Sequence, residues 1–161
     1  MTSFHLAQVN IGKFRKPPAD PVNADFMNNL DRVNAIAEAS PGFVWRLTGE
    51  GNNATDVRAF DDPDMAINMS VWDSVEALAA FAYRDREHRA IMRRRREWFE
   101  ETKVYMVLWW LPAGTIPTLQ DAKNRLALLE QLGPTPDAFT FKQPFPKPDG
   151  VGVTPVLDEC A

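Results

Sequence analysis

The stretch INMSVWDSVEALAAFAYRDREHR, residues 67–89, contains the junction that decides the fold of this chain. Its first residues alternate between large apolar side chains and small or polar ones, which predicts a β-strand over residues 65–72. Ser74 then precedes a run of good helix formers, and a serine at that place accepts a hydrogen bond from the first turn of a helix. The sequence therefore predicts a strand that leads directly into one long helix over residues 73–101.

The remaining elements are predicted on both sides of this junction. Further strands are predicted over residues 4–14, 43–50 and 103–111, and further helices from the cap Asn23 to Ser40 and from the cap Thr118 to Gly133. The order is strand, helix, strand, strand, helix, strand, helix. The first six elements have the βαββαβ order of a ferredoxin-like fold, in which helices cover one face of an antiparallel sheet. The predicted class is therefore α+β, with an added C-terminal helix.

The last predicted strand, KVYMVLWWL (residues 103–111), is apolar on both faces. A sheet with two apolar faces needs a second cover besides its helices. A second copy of the chain provides that cover in a symmetric homodimer that joins the two sheets face to face. The C-terminal segment is the alternative cover. We expect residues 1–134 to form the domain and the proline-rich residues 135–161 to form an extended arm over its surface or over a partner.

Composition excludes several classes of protein. A chain of 161 residues has the size of one domain, and its net charge of −4 argues against nonspecific nucleic-acid binding. Cys160 is the only cysteine, so no disulfide forms within the chain and a reducing compartment is expected. There is no signal-peptide pattern and no apolar run of roughly 20 residues. These features predict a cytoplasmic protein with no membrane or nucleic-acid partner.

Three segments resemble a known superfamily. SPGFVWRL (residues 40–47), the junction stretch with its VWDS turn, and VLWWLPAG (residues 107–114) are similar to the dimeric α/β-barrel superfamily. That superfamily includes antibiotic-biosynthesis monooxygenases and heme-degrading monooxygenases. From His5 to Phe141 the chain most resembles an uncharacterised bacterial domain-of-unknown-function family within it. The resemblance implies a dimeric α/β barrel that binds a small molecule between sheet and helices.

His88 is the first candidate for chemistry. On a continuous helix it shares one stripe with Phe81, Met92, Arg95 and Phe99, so it is expected to face the sheet. Three interpretations remain open: a core histidine bonded to a carbonyl, a heme or metal ligand, and an acid–base or substrate-orienting group. The heme-degrading branch has a tryptophan where this chain has Phe81, and its ligand histidine lies a few residues further along the helix.

Polar side chains on two central strands are the second candidate. Asn10 and Asn68 lie in apolar strands, where an unsatisfied amide costs about 1–3 kcal/mol. If both point to the helix side, they meet His88 across a cavity. Around them, the residues expected to contact a substrate are Trp72, Phe81, Tyr83, Arg95 and Phe99, with Arg95 holding a carboxylate or enolate.

Three functions are compatible with these residues. The preferred hypothesis is a small-molecule-binding protein of monooxygenase type that needs no cofactor and oxidises an apolar or aromatic metabolite. In that mechanism the substrate is deprotonated near His88, while Asn10 and Asn68 hold the developing oxyanion. The first alternative is a heme-binding protein with His88 as axial ligand. The second is a non-enzymatic dimeric ligand-binding module.

Overall fold

The computed structural model describes residues 3–148, which form one four-stranded antiparallel sheet with helices on both faces. The strands are β1 (Phe4–Lys13), β2 (Phe43–Arg46), β3 (Met65–Trp72) and β4 (Met106–Pro112), in the sheet order β2-β3-β1-β4. All neighbouring strands pair antiparallel. This is the ferredoxin-like order, so the predicted fold class is confirmed.

The helices follow the predicted order, with one difference. The helices are α1 (Ala24–Ala39), α2 (Val75–Ala79), α3 (Arg86–Met92), α4 (Arg95–Trp98) and α5 (Leu119–Leu132). The prediction of a single helix over residues 73–101 is wrong. A π-helical turn, Ala80–Arg84, follows α2, and Asp85 then leaves helical geometry, with ψ 122°.

Asp85 is the reason for this break. Its carboxylate accepts hydrogen bonds from the backbone N–H groups of Glu87, at 3.0 Å, and His88, at 2.8 Å. It is therefore the N-cap of α3. An aspartate inside a helical pattern competes for backbone hydrogen bonds and favours a new helix start.

The predicted caps differ in their chemistry. Thr118 begins α5 with a capping box, in which its hydroxyl and the side chain of Asp121 bond each other's backbone N–H. Asn23 stands at the start of α1, but its side chain does not cap the helix. It is fully buried and donates instead to the carbonyl oxygen of Pro17 at 2.9 Å.

One face of the sheet is covered by α5, within the same chain. Val9, Val107 and Trp109 on that face are at most 2% exposed, and they belong to one core cluster with Ala122, Leu126 and Leu129 of α5. The sequence argument for a dimer needed this face to be bare. The face is not available for sheet-to-sheet contact in a dimeric barrel, so that interface is a wrong prediction. The homodimer itself stays a prediction.

The segment after α5 crosses the β4 edge to the other face. Ala138 packs in the α5 cluster, whereas Phe139 and Phe141 are at most 1% exposed in the cluster on the α2 side. Phe139 and Leu108 exchange two backbone hydrogen bonds of 2.8 and 2.9 Å. The part of the predicted arm that the structure describes therefore packs on its own domain. Cys160 lies outside the described residues.

None of the helices formed by residues 3–148 is both long enough and apolar enough to cross a membrane.

Candidate functional site

A cavity of about 540 Å³ lies between the sheet and the helices α1 and α3. A volume of this size is typical of a small-molecule site. The large apolar residues on the inner face of α1 are only partly buried, because this helix faces the cavity rather than the sheet surface. They are Phe26, Met27, Leu30 and Val33.

The floor of the cavity is a chain of hydrogen-bonded polar side chains. Gln8 donates through Nε2 to Asn68 Oδ1 at 2.7 Å and to Ser70 Oγ at 2.8 Å. Asn10 donates through Nδ2 to Gln8 Oε1 at 3.1 Å and to Asn68 Oδ1 at 3.2 Å. The indole N–H of Trp72 donates to Ser70 Oγ at 2.9 Å. The strands place these groups together because β1 and β3 pair Asn10 with Asn68 and Gln8 with Ser70.

These hydrogen bonds leave a different side-chain atom of each asparagine available to a ligand. Both N–H groups of Asn10 are used within the floor, so its free atom is the acceptor Oδ1. Asn68 accepts through Oδ1 and makes no hydrogen bond through Nδ2 among the described residues. Asn68 is also exposed, although it lies in an inner strand of the sheet. The floor therefore presents one free amide NH₂ group, with two N–H donors, to the cavity, from Asn68.

His88 lies at the other side of the cavity. Its Nδ1 is 2.9 Å from the carbonyl oxygen of Ala82. A carbonyl oxygen only accepts, so Nδ1 carries the proton and Nε2 has a free lone pair. Burial lowers the pKa of His88 below 6.5, against the opposing effects of the Ala82 carbonyl and Asp85. The imidazole is therefore neutral at pH 7, with a basic nitrogen to offer.

The helix break makes this bond possible. The backbone N–H of Asp85 bonds the carbonyl of Ala80 at 3.1 Å, and the regular helical ladder stops there. The Ala82 carbonyl is then available to the imidazole of His88 in the first turn of α3. Phe81, which was predicted only to share a helical stripe with His88, contacts it, with the two ring centroids 4.5 Å apart. The bend brings the two rings together.

The predicted aromatic residues line the cavity in two clusters, one with Trp72, Phe81 and Tyr83 and the other with Phe99. Trp72 is completely buried, and Phe81 stacks on it at 5.4 Å between ring centroids. Tyr83 also lines the cavity and contacts Phe141 edge-on at 5.1 Å. Phe99 closes the far end, where a Cβ on Gly12 would come within 2.6 Å of its ring. All four aromatic residues therefore line the cavity, with Trp72 packed against Phe81.

Arg95 lines the same cavity, and its guanidinium lies 4.2 Å from the ring centre of Tyr105. A neighbour of Arg95 in the run of arginines 93–96 makes ion pairs. Glu97 pairs with Arg94 at 2.7 Å, and Arg94 also reaches Asp25 on α1 at 3.0 Å.

All eight residues predicted for the site line this one cavity. Gln8 and Ser70 were not predicted, although each stands two residues from an asparagine of the pair and therefore on the same face of its strand. Among residues 3–148 there is no cluster of three or more His, Cys, Asp or Glu that could hold a metal ion.

The comparison with known families agrees with one of the predictions. The model of the family described as Domain of unknown function (DUF3291) matches residues 5–153. The chain belongs to the DUF3291 family. The prediction of a domain-of-unknown-function family is thereby confirmed. No curated protein matches this DUF3291 member in sequence.

Two solved structures are similar to this DUF3291 chain. One is SnoaB, a cofactor-independent oxygenase from Streptomyces nogalater, at 17% identity and a TM-score of 0.46, over 72% of this chain and 100% of that one. The other is a putative antibiotic biosynthesis monooxygenase from Nitrosomonas europaea, at 11% identity and a TM-score of 0.45, over 72% of this chain and 93% of that one.

Proposed function

We propose that this protein is a cofactor-independent, monooxygenase-type enzyme acting on a small apolar or aromatic metabolite bound between sheet and helices. One observation carries the proposal: the neutral imidazole of His88, held by the Ala82 carbonyl, keeps Nε2 free on a cavity whose floor offers the N–H of Asn68. Carbanion formation next to a carbonyl or phenol requires a base that takes the proton and a donor that stabilises the negative charge. This apolar cavity offers an imidazole base and an amide donor.

The proposed reaction starts with proton transfer. His88 Nε2 removes a proton from a CH₂ group that a carbonyl activates, either directly or through a conjugated aromatic ring. The charge moves to the adjacent oxygen, which accepts a hydrogen bond from Asn68 Nδ2. Asn10 does not donate to that oxygen, because both of its N–H groups are engaged. Asn10 and Gln8 are positioning residues that hold the Asn68 amide by its oxygen.

Dioxygen is the co-reactant. The substrate carbanion and dioxygen form a C–O bond, and the imidazolium returns its proton to give a hydroperoxide. Loss of water then leaves a carbonyl group. The CH₂ carbon loses four electrons, and dioxygen gains four, with one oxygen atom in the product and the other in water. All side chains in this scheme come from one chain, so the scheme does not require the predicted homodimer.

Oxygen uptake with hydroxyaromatic substrates that carry an activated CH₂ group tests the proposal. We expect uptake with the wild type and a loss of roughly 10²–10⁴-fold in kcat for His88→Gln. Asn68→Ala is expected to lose about 10²–10³-fold, as for removal of an oxyanion donor. His5→Gln is the matched control, because His5 does not line the cavity. Equal rates in His88→Gln and His5→Gln contradict the proposal. Ligand binding without uptake by any variant favours a non-enzymatic module.

Heme binding is the second candidate, and the same imidazole favours it. Metal-ligating histidines donate one ring N–H to a carbonyl and bind through the other nitrogen, as the Ala82 contact permits here. His88 would then hold the iron through Nε2, and the heme would supply redox chemistry. A Soret band on titration with hemin, lost in His88→Ala and kept in His5→Gln, supports this alternative. Identical spectra for both variants contradict it.

A further inference from the structure

The wall of the large cavity has a charge opposite to that of the chain. The protein has 22 acidic residues against 18 lysines and arginines. The described residues that line the cavity include no aspartate or glutamate, but they include Arg46, Arg58 and Arg95. A wall drawn at random from so acidic a chain would contain several carboxylates. A cavity lined by one sign of charge attracts ligands of the opposite sign.

The three arginines differ in how their charge is compensated. Arg46 bonds Glu38 at 2.6 Å and Asn52 at 3.0 Å, so its charge is paired. Arg58 is exposed and donates to the backbone carbonyl of Thr55 at 2.7 Å. Arg95 is partly buried, and its side chain has no carboxylate or carbonyl partner among residues 3–148. Arg95 is therefore the cation of this wall that most needs an anionic partner.

The contact of Arg95 with Tyr105 leaves its donors free. The guanidinium carbon lies over the Tyr105 ring, 4.2 Å from its centre, and this cation–π contact satisfies none of the N–H groups by a hydrogen bond to an oxygen. The N–H groups lie in the plane of the guanidinium and make no hydrogen bond among the described residues. Two of them match the spacing of the two oxygens of a carboxylate.

Arg95 also has a distinct position. Together with Tyr105 it lines both the large cavity and a neighbouring cavity of about 410 Å³. The other residues common to both are the apolar Phe99, Met106 and Phe141. The charged end of a ligand at Arg95 thus lies at the junction of the two cavities, while its apolar part occupies the space beneath α1.

We propose that the natural ligand is an aromatic acid, ionised at neutral pH, whose carboxylate binds the guanidinium of Arg95. This inference adds a substrate class to the proposed function, and it rests on that function for the choice of cavity. An uncharged amide of the same shape offers the guanidinium only one acceptor oxygen and no charge. It cannot form the two parallel charge-assisted hydrogen bonds of a carboxylate, and that loss produces the discrimination. The carboxylate end is then fixed at Arg95, and the ring system points along the wall that contains His88.

A binding experiment on the full-length protein tests this assignment. Anthracene-2-carboxylate and the uncharged anthracene-2-carboxamide are titrated at neutral pH, with binding heat as readout. We expect the carboxylate to bind wild type at least about tenfold more tightly than the amide, a difference of about 1.4 kcal/mol. In Arg95→Gln the two compounds are expected to bind alike. Arg93→Gln is the control, since it removes the same charge from an exposed residue that lines neither cavity.

The outcomes separate this inference from the proposed function. Equal affinities of wild type for the two compounds, or no carboxylate binding at millimolar concentration, overturn the inference. So does a loss of discrimination in Arg93→Gln as large as that in Arg95→Gln. If Arg95→Gln does not fold, Arg95→Lys takes its place, with reduced discrimination expected because an ammonium cannot bind a carboxylate through two parallel N–H groups. Discrimination without oxygen uptake supports the anionic ligand and contradicts the oxygenase.

Discussion

His88 keeps one tautomer because its Nδ1 faces an oxygen that only accepts hydrogen bonds. The Ala82 carbonyl holds the ring, burial keeps it neutral, and the free Nε2 is left for chemistry. Asn68 complements His88. Its Oδ1 accepts hydrogen bonds from Gln8 and Asn10, and its Nδ2 is left free to donate. The candidate site thus contains one free acceptor, His88 Nε2, and one free donor group, Asn68 Nδ2. In each side chain the other polar atom makes the hydrogen bond that fixes its orientation.

The lowered pKa of His88 predicts how stability depends on pH. Burial depresses the pKa in the folded state below 6.5, so the unfolded chain binds the proton more tightly. This contribution to the free energy of unfolding is present above pH 6.5 and is lost as the pH falls toward the folded-state pKa. We expect wild type and His5→Gln to lose more stability between pH 7 and about pH 5 than His88→Gln does, as measured by urea unfolding. Parallel losses in all three contradict the prediction.

Gln8 connects the floor of the cavity, and its removal is expected to cost stability. It is 4% exposed and makes three side-chain hydrogen bonds, so Gln8→Leu removes one hydrogen bond from each of Asn10, Asn68 and Ser70. We expect a loss of about 1–3 kcal/mol in the free energy of unfolding. Gln120→Leu on the exposed face of α5 is the control, with a change within about 0.5 kcal/mol. Similar values for both variants would show that the floor contributes no net stability.

The element that shapes the site is the broken helix between β3 and β4. A continuous helix would carry residues 86–98 away from the sheet along one axis. The break at Asp85 turns the chain instead, so that His88, Met92 and Arg95 all line the cavity. The π-helical turn before it supplies the carbonyl that His88 uses. Local hydrogen bonding at Asp85 thus sets the direction of α3 and α4, which form the part of the cavity wall that contains His88, Met92 and Arg95.

Asp85→Ala tests the role of the break. The variant loses both hydrogen bonds at the N-cap of α3, and we expect a loss of about 0.5–2 kcal/mol in the free energy of unfolding. It also frees the segment to become continuous helix, so the far-ultraviolet circular dichroism is expected to gain helical signal. Asp61→Ala is the control, since Asp61 is exposed and caps no helix in the described chain. No difference between the two variants would mean that the cap does not maintain the bend.

At the scale of the whole molecule, the last described segment completes both cores. After α5 the chain passes the β4 edge, leaves Ala138 on one face and inserts Phe139 and Phe141 on the other. The bridge between Phe139 and Leu108 covers part of an edge strand that would otherwise offer unpaired backbone groups. Residues 135–148 are therefore part of the folded unit.

Phe139→Ala measures that contribution. Phe139 is 0% exposed, so we expect a loss of about 3–5 kcal/mol in the free energy of unfolding, from lost burial and the remaining cavity. Ile116→Ala is the matched control, because Ile116 is 59% exposed, and a change within about 0.5 kcal/mol is expected. Urea unfolding of the two variants at one pH provides the comparison. If Phe139→Ala is as stable as Ile116→Ala, the segment does not belong to the core.

The sequence alone determined the order of the strands and helices and the alternation of side chains along each strand. The sequence left open whether Asn10 and Asn68 point to the same side of the sheet, and its periodicity predicted a continuous helix across Asp85. Periodicity reports only how a side chain points relative to its own element, and that direction is set by local backbone geometry. The tertiary structure decided which element covers each face: α5 takes the face that the sequence assigned to a second copy. It also decided that α1 stands far enough from the sheet to leave a cavity, that an Ala82 carbonyl holds His88, and that Arg95 lacks a carboxylate partner. These features depend on distances between segments far apart in the chain, and no pattern within one segment encodes such distances.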